Sequence, residues 1–178
     1  MVADTGVRAR IDFNRVTVRL VVGAERARWD ALMRGHHYLG FDRTVGRALR
    51  QVADLDGQRL ALLGWQAAAL MCAPRDAWIN WARPIQVQRL HLIANNCRFL
   101  LLPGVRVAHL ASRVLGLSLR RLSDDWQAAH GHPVLLAETF VDPERFAGTC
   151  YRAANRRLGK YGIIELTHEI QDLVRAQH

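Results

Sequence analysis

One segment constrains the fold more than any other: a continuous apolar run that ends at a turn and leads into a helical pattern. Residues 98–102 read RFLLL, and a Pro-Gly pair stops the run. Consecutive apolar residues without alternation are typical of a central strand buried on both faces. Residues 107–121 then repeat apolar side chains at a helical period. The segment therefore favours a sheet with helices on its faces.

Turn residues and periodicity divide the rest of the chain. Asp56-Gly57 separates two strand-like segments, 45–53 and 59–66, and this dipeptide is a strong hairpin signal. Further strands are predicted at residues 16–22, 134–141 and 162–167, and further helices at 24–34, 75–93 (two short helices divided near Pro84), 123–130 with Ser123 as N-cap, 148–159 and a C-terminal amphipathic segment. With no repeat or linker, the order predicts one α+β domain spanning residues 1–178.

The charge of the chain indicates a polyanionic partner. Lysine and arginine number 25 against 16 acidic residues, which gives a net charge of +9, and Lys160 is the only lysine. Codon bias in a GC-rich genome is one interpretation of the choice of arginine over lysine, but it does not explain the net excess of positive charge. Arginines near phosphates release counterions and add salt-sensitive affinity. Nucleic acid, with DNA favoured over RNA, and a phosphate-rich cofactor are therefore the expected partners.

Three further observations exclude whole classes of protein. No apolar run approaches the length of a membrane span, and the N-terminus lacks a secretory h-region, so a cytoplasmic protein with no membrane partner is expected. Cys72, Cys97 and Cys150 are odd in number and form no C-x-x-C pair, which argues against a disulfide framework and a zinc finger. No metal site is expected.

Four sequence blocks carry a resemblance to a known family. They are Trp29, Leu32 and HHYLG at 36–40, then APRDAWINW, then NNCRFLLLPGVRVAHLASRVL, then ETFVDPERFAGTCYRAAN. Residues 29–159 thereby resemble the domain of the A protein of the Druantia anti-phage system, which also occurs in proteins labelled transposase. The resemblance implies a role in a mobile element or in phage defence.

The same blocks are similar, more loosely, to phage Mom-like proteins. The similar segments are His37 to Gly40, Leu62 to Trp65, His109 to Arg113, Thr139 to Asp142 and Gly148 to Asn155. Mom-like proteins modify adenine in DNA on an N-acetyltransferase (GNAT) type fold. This resemblance implies a GNAT-like, mixed and mostly antiparallel sheet with helices on both faces. It also implies that the strands near 98–102 and 134–141 lie side by side and splay apart to admit a donor.

The chain departs from these families at two positions. His109 replaces the usual Asn, and Arg156 replaces the Trp that usually follows Asn155; residues 160–178 match poorly.

A GNAT fold implies a donor site at the start of the helix after the central strand. The family pattern is Q/R-x-x-G-x-G/A, and the corresponding residues are Arg106, Val107, Ala108, His109, Leu110 and Ala111. Exposed amides and the helix dipole favour a pyrophosphate there, as in acyl-CoA or another acyl or aminoacyl donor. Arg106 and Ala111 fit the pattern, whereas His109 replaces its middle glycine. An ordinary helix start is the alternative.

Four residues are candidates for catalysis and are expected to converge on one cleft: His37, Ser112, Asp142 and Tyr151. Transfer to an amine needs a base, an acid for the leaving group and a donor to the oxyanion. His37 or Asp142 would be the base, Tyr151 the acid and Ser112 or a backbone N–H the oxyanion donor. Candidate contacts to nucleic acid lie in the same motifs: His36, Arg113 and Asn155.

Each candidate also has a purely structural interpretation. The two histidines can be a loop pair, Tyr151 a half-buried core aromatic, and Cys150 a small buried apolar residue rather than a nucleophile. Three functions therefore remain open, of which the weakest is a GNAT-fold enzyme that acts on a small amine or with a tRNA-linked donor. The favoured one is a GNAT-like transferase that moves an acyl or aminoacyl group onto an amine, above all that of a nucleic-acid base. The alternative is a non-catalytic nucleic-acid-binding module of a transposase or defence system.

Overall fold

A computed structural model describes residues 11–141, 144–145, 147–154 and 163–165 of this chain. Six strands and five α-helices follow one another in these ranges, with short 3₁₀ turns at Phe13–Arg15 and Leu90–Leu92. In chain order they are β1 (Val16–Leu20), α1 (Glu25–His36), β2 (Ala48–Leu55), β3 (Gln58–Ala67), α2 (Ala73–Ile79), α3 (Arg83–Arg89), β4 (Ile93–Leu101), α4 (Leu110–His130), β5 (Leu136–Thr139), α5 (Thr149–Ala154) and β6 (Ile163–Glu165).

The strands form one sheet in the order β1-β2-β3-β4-β5-β6. Every neighbouring pair is antiparallel except β4 and β5, which are parallel. The prediction of a mixed, mostly antiparallel α+β sheet is confirmed. β4 and β5 are parallel, and parallel neighbours need a crossover connection that brings the chain back to the end of the sheet where the first strand began. Helix α4 is that connection.

Helices cover both faces of the sheet. On one face α4 packs Leu110, Val114 and Leu122 into the main core against β1, β2 and β3. On the other face α1 buries Trp29 and Met33. Alternate residues of a strand point to opposite faces, which divides the side chains of β2 and β3 between these two cores. The sheet is thus buried on both faces at its centre.

The β2–β3 hairpin has the turn that the sequence predicts. Asp56 has a φ of 51° and Gly57 a φ of 83°. Positive φ at both central residues is the condition for a type I′ turn, which an Asp-Gly pair satisfies at little cost. The hairpin prediction is therefore confirmed in position and in chemistry.

Two elements differ most from the sequence prediction. The predicted helices at 107–121 and 123–130 are one helix, α4, which begins at Leu110, and Ser123 lies inside it rather than at an N-cap. Leu119, Leu122 and Trp126 carry the buried stripe of α4 through that position, and this packing outweighs the capping preference of serine. The central strand is also longer than RFLLL, because β4 begins at Ile93. The predicted C-terminal helix lies outside the described residues.

The described residues include no helix that is long and apolar enough to cross a membrane.

Candidate active site

The sheet opens between β4 and β5. Their pairing runs from Ile93 opposite Leu136 to Asn96 opposite Thr139 and ends there, while β4 continues along β3 as far as Leu101. The two strands therefore separate beyond Asn96, as the GNAT-like interpretation of the sequence predicts. A cavity of about 530 Å³ occupies the opening. Its lining comes from five places in the chain: the end of α1 with the segment after it, β4 from Asn96 onward, the start of α4, the segment after β5, and α5.

A β-bulge shapes β4 at the start of the opening. Gly64 of β3 lies opposite Arg98 and Trp65 opposite Asn96, so Cys97 is the extra residue. A bulge bends a strand and re-aims its side chains. Gly64 makes room for it, since a Cβ there would lie 3.3 Å from Arg98 Cβ, Cys97 Sγ and a ring carbon of Trp29. Cys97 Sγ donates to the Gly64 carbonyl at 3.4 Å, and burial raises the pKa of this thiol.

Tyr151 of α5 reaches across the opening to β4. Its hydroxyl donates to Asn96 Oδ1 at 2.7 Å. Asn96 Nδ2 donates in turn to the carbonyls of Gly64 and Arg98, which fixes the amide with its oxygen toward the phenol. Burial raises the pKa of Tyr151 to about 12. The phenol is therefore protonated at neutral pH, and because its one proton is donated to Asn96, its oxygen offers a lone pair to the cavity.

His37 lines the cavity from the opposite side, directly after α1. Its Nδ1 accepts the backbone N–H of Leu39 at 3.2 Å. An acceptor Nδ1 places the ring proton of the neutral imidazole on Nε2. Burial, and then the positive charge of Arg98, lower the pKa of His37. In this geometry the neutral ring is a hydrogen-bond donor through Nε2, so it is not positioned to act as the base.

Arg98 joins the two sides of the cavity mouth. Its Nε donates to the Gly40 carbonyl at 2.9 Å, and its guanidinium also donates to the Cys97 carbonyl at 2.6 Å. These bonds hold the segment after α1 against the bulge of β4. They also fix a permanent positive charge beside His37.

The start of α4 is open to solvent. Arg106, Ala108 and His109 are exposed, and Ala111 lines the cavity. The amides of Ala111 and Ser112 in the first turn have no acceptor within the described part of the chain. Free amides at a helix N-terminus favour an anion.

The backbone at His109 explains why the family pattern places glycine there. His109 precedes α4 in a left-handed conformation with a φ of 63°. Glycine adopts this region without strain, and Asn and His do so more readily than most other residues. His109 therefore preserves the turn while adding an exposed side chain.

The structure brings together some of the predicted site residues and not others. His36, His37, Ala111 and Tyr151 line the same cavity. Ser112 lies outside the lining, and its hydroxyl donates to the His109 carbonyl at 2.9 Å. Arg113 also lies outside it, where Nε donates to the Phe13 carbonyl. Outside the lining too are Arg106, Val107, Ala108, His109 and Leu110.

Leu110 is poorly placed to contact an acyl-CoA molecule, because its side chain is buried in the core and its N–H donates to the Val107 carbonyl. Asp142 and Asn155, the remaining candidates, lie outside the described residues.

Sequence reasoning missed three cavity residues on β4: Asn96, Cys97 and Arg98. A signal for them exists, because the polar pair Asn95-Asn96 interrupts an otherwise apolar stretch. Buried polar side chains in a strand need specific partners. The partner of Asn96, however, lies 55 residues away in α5, which the local pattern does not reveal.

Solved structures with this fold include an acetyltransferase, AAC(6')-Ib. One structure holds paromomycin and acetyl-CoA, and another holds ribostamycin and coenzyme A. Each aligns with a TM-score of 0.53 and 14% identity, covering 92% of this chain and 99% of the other. The fold is therefore that of the GNAT acetyltransferases. No curated protein sequence matches this chain.

A family model matches nearly the whole chain. It is the model of the Druantia protein DruA, and it aligns with residues 7–168. These residues include the segment after α1, the bulged strand β4, the start of α4 and helix α5. The chain is therefore a member of the Druantia protein DruA family.

Proposed function

We propose that this protein is an acyl- or aminoacyltransferase of the GNAT type, which uses the opening between β4 and β5 to transfer a group from a thioester donor onto an amine. The observation that carries the proposal is the opening itself. Parallel pairing stops at Asn96 and Thr139, and the phenol of Tyr151 lies at the same place. A sheet that only needed stability would continue to pair its strands.

The residues around the start of α4 fit the phosphates of an acyl-CoA donor. The amides of Ala111 and Ser112 would hold the pyrophosphate, with the exposed Arg106 nearby. The edge of β4 beyond Asn96 would receive the extended arm of the donor, since its backbone groups face the opening. When bound, the donor supplies an activated acyl carbon.

The residues of the chain then divide the chemistry. The amine nitrogen forms a bond to the acyl carbon while the carbon–sulfur bond breaks. Tyr151 turns its hydroxyl from Asn96 Oδ1 to the departing sulfur and donates its proton there, a role that its raised pKa permits because the phenol stays protonated. His37, whose Nδ1 accepts from Leu39, offers its Nε2–H to the bound substrate. The sequence-based hypothesis that Asp142 accepts the proton of the amine stands as part of this proposal.

A nucleic-acid base is the proposed acceptor. The net charge of +9 supports it, as do the basic side chains at the cavity mouth, where Arg98 lies in the lining and Arg145 lies 5.3 Å above the ring of Tyr38. Guanidinium groups beside aromatic rings suit a strand of phosphates and planar bases. Membership of the Druantia protein DruA family supports a role in phage defence or in a mobile element.

Mass spectrometry of nucleosides tests the proposal. DNA and RNA are digested from cells that express the protein, and in parallel from a reaction of the purified protein with acetyl-CoA and single-stranded DNA. We expect a nucleoside heavier by one acyl group. Tyr151→Phe should reduce its yield by about 10²-fold or more. Asp142→Ala should abolish it.

The matched control is Tyr38→Phe, which removes a phenol hydroxyl from another residue of the same cavity. It should retain most of the product. Salt-sensitive nucleic-acid binding by the wild type without any modified nucleoside, under a range of thioester donors, would contradict the transferase and leave the binding module.

A further inference from the structure

Asn96 and Thr139 are the last residues to pair between β4 and β5, and they lie directly opposite each other. Opposite residues of neighbouring strands project their side chains to the same face of a sheet. The phenol of Tyr151 contacts that face, because its hydroxyl donates to Asn96 Oδ1 at 2.7 Å. Thr139 therefore shares this face with the phenol, at the point where the two strands begin to separate.

The hydroxyl of Thr139 is buried and unsatisfied. Only 4% of the residue is accessible, and Oγ1 has no hydrogen-bond partner in the part of the chain that the structure describes. A buried hydroxyl without a partner lowers stability, and a valine would fill nearly the same space without that penalty. The stability of the resting fold therefore does not account for a threonine at this position.

The Thr139 side chain acts on the phenol of Tyr151 in the direction opposite to burial. Burial is the largest cause of the raised pKa of Tyr151, and the next largest is the Thr139 side chain, which lowers that pKa as a hydrogen-bond partner of the ionised phenol. The other groups that affect the phenol all raise its pKa, and they are Cys150, Tyr38 and Cys97. Thr139 is thus a potential donor that the neutral phenol leaves unused.

Asn96 cannot take over this role. Its Nδ2 donates to the carbonyls of Gly64 and Arg98, so its Oδ1 faces the phenol. A carbonyl oxygen accepts the proton of a neutral phenol but has no proton to offer an ionised one. Asn96 therefore stabilises the protonated form of Tyr151, and the ionised form needs a donor on another residue.

We propose that Thr139 is a positioning residue that acts through Tyr151: its hydroxyl donates a hydrogen bond to the phenol oxygen once Tyr151 has released its proton. This inference rests on the proposed transferase function. The amine nitrogen bonds to the acyl carbon and passes its proton to the base, while the carbon–sulfur bond breaks and the sulfur takes the phenol proton. The phenolate accepts from Thr139 until water in the cleft returns a proton, and Tyr151 then donates to Asn96 again.

Thr139 does not touch the substrate in this scheme. It is not among the residues that line the cavity, and its Oγ1 is inaccessible. Its effect on the reaction therefore passes through the phenol of Tyr151. The loss caused by removing the hydroxyl should depend on how much the leaving group needs a proton.

Titration of the phenol tests the proposal without catalysis. The three tyrosines of the chain are replaced by fluorotyrosine, which has a more acidic phenol, and the fluorine NMR signal of position 151 is identified by its absence in Tyr151→Phe. Thr139→Val removes the hydroxyl at nearly constant shape, and Thr139→Ser keeps it. We expect the titration midpoint at position 151 to rise by about one pH unit in Thr139→Val and to stay near the wild-type value in Thr139→Ser.

Two further measurements separate a positioning role from a purely structural one. Thr139→Val should leave the free energy of unfolding unchanged or raise it, because the hydroxyl has no partner in the resting fold. With acetyl-CoA its kcat should fall about tenfold while the KM for acetyl-CoA changes little. With the acetyl thioester of nitrothiophenol, whose thiolate leaves without a proton, kcat should fall less than about twofold.

An unchanged or lower titration midpoint in Thr139→Val would overturn the proposal. Equal losses of kcat with both thioesters would also overturn it, because they would show that the variant disturbs the site rather than the proton transfer. Failure of the proposed function has a different signature. The wild type would then transfer no acyl group from either thioester, while the midpoint would still decide whether Thr139 donates to the ionised Tyr151.

Discussion

The β2–β3 pair and the β4–β5 pair differ in how far their pairing extends. β2 and β3 pair at eight positions, from Ala48 with Gln66 to Leu55 with Gln58, whereas β4 and β5 pair at four and then separate. The first pair lies beneath helices on both faces, and its centre is inaccessible to solvent. The second borders a cavity of about 530 Å³. Continuous pairing serves stability here, while interrupted pairing creates the space in which a substrate can bind.

A buried polar network at the β2–β3 pair is a second difference from the β4–β5 pair. Trp65 Nε1 donates to Gln51 Oε1 at 3.1 Å and to Ser118 Oγ at 3.0 Å, and Gln51 Nε2 donates to Asp125 at 2.8 Å. These four side chains are buried, and they join β2 and β3 to α4. Their buried hydrogen bonds specify how the helix sits on the sheet. They contribute to the scaffold on which the opening depends.

Truncation of Trp65 should give the largest loss of stability. Trp65→Ala removes a fully buried ring and leaves Ser118 and Gln51 with fewer partners, so the free energy of unfolding should fall by about 3–5 kcal/mol. Chemical denaturation measures the change. Phe140→Ala is the matched variant at the opening between β4 and β5. It removes an exposed ring and should lower the free energy of unfolding by less than about 0.5 kcal/mol. Similar losses in both variants would contradict the division of roles.

An added methyl group at the bulge should give the next largest effect. In Gly64→Ala the new Cβ would lie 3.3 Å from atoms of Arg98, Cys97 and Trp29, so the free energy of unfolding should fall by about 1–3 kcal/mol. Acyl transfer should also fall, because the bulge positions Asn96. Gly116→Ala in α4 is the control: the new Cβ would lie 3.8 Å from its nearest neighbour, the carbonyl oxygen of Ala154 in α5, and the helix should gain up to about 1 kcal/mol. A neutral Gly64→Ala would show that the bulge is adaptable.

Removing the backbone strain at His109, just before α4, should have a smaller effect of opposite sign on the free energy of unfolding. His109→Gly should raise the free energy of unfolding by about 0.5–1 kcal/mol, since glycine tolerates a φ of 63°. It should also tighten coenzyme A binding, which isothermal titration calorimetry can measure. Asn80→Gly changes another left-handed residue, with a φ of 55°, outside the cavity lining. This control should leave coenzyme A affinity unchanged. An equal gain in coenzyme A affinity in both variants would show that His109 does not lie at the coenzyme A site.

The smallest expected effect concerns acid stability on the hairpin side. Glu25 accepts from Arg19 and Arg59, and the hydrogen bond from Arg19 is the main cause that lowers its pKa from 4.5 to about 2. A lowered pKa in the folded state means that this contribution to stability is complete above pH 4.5. It is lost as pH falls from 4.5 toward 2.

Glu25→Gln should therefore flatten the dependence of the melting temperature on pH in that window. The exposed loop variant Asp42→Asn serves as control and should retain the wild-type slope. An unchanged slope in Glu25→Gln would show that the ion pairs contribute nothing measurable.

Local patterns predicted the elements of the fold better than their ends. The Asp56-Gly57 turn and the two short helices near Pro84 were predictable, since each depends on a few adjacent residues. The first half of β4 was not, because Asn95 and Asn96 interrupt its apolar pattern and the strand is recognised only once β3 and β5 pair with it. The unbroken α4 likewise depends on packing against β1 and β2.

For the candidate site, the sequence indicated individual residues but not which of them lie close together in the fold. The His36-His37 pair and Tyr151 stood out as unusual chemistry, and all three line the cavity. Ser112 stood out equally, yet its hydroxyl is bonded to the His109 carbonyl. A residue type at a helix start is visible in sequence, whereas the direction in which its side chain bonds is not.

The sequence by itself determined the excess of positive charge, the hairpin turn, and the buried strand that leads into a helix. Each of these follows from composition or from neighbours a few residues apart, which fix local conformation. The tertiary structure alone decided that β4 and β5 separate beyond Asn96, that Cys97 forms a bulge, and that Tyr151 meets Asn96 across 55 residues. Those features depend on strand register and on the packing of α4 and α5, where many weak contacts are satisfied together and no short segment specifies the outcome.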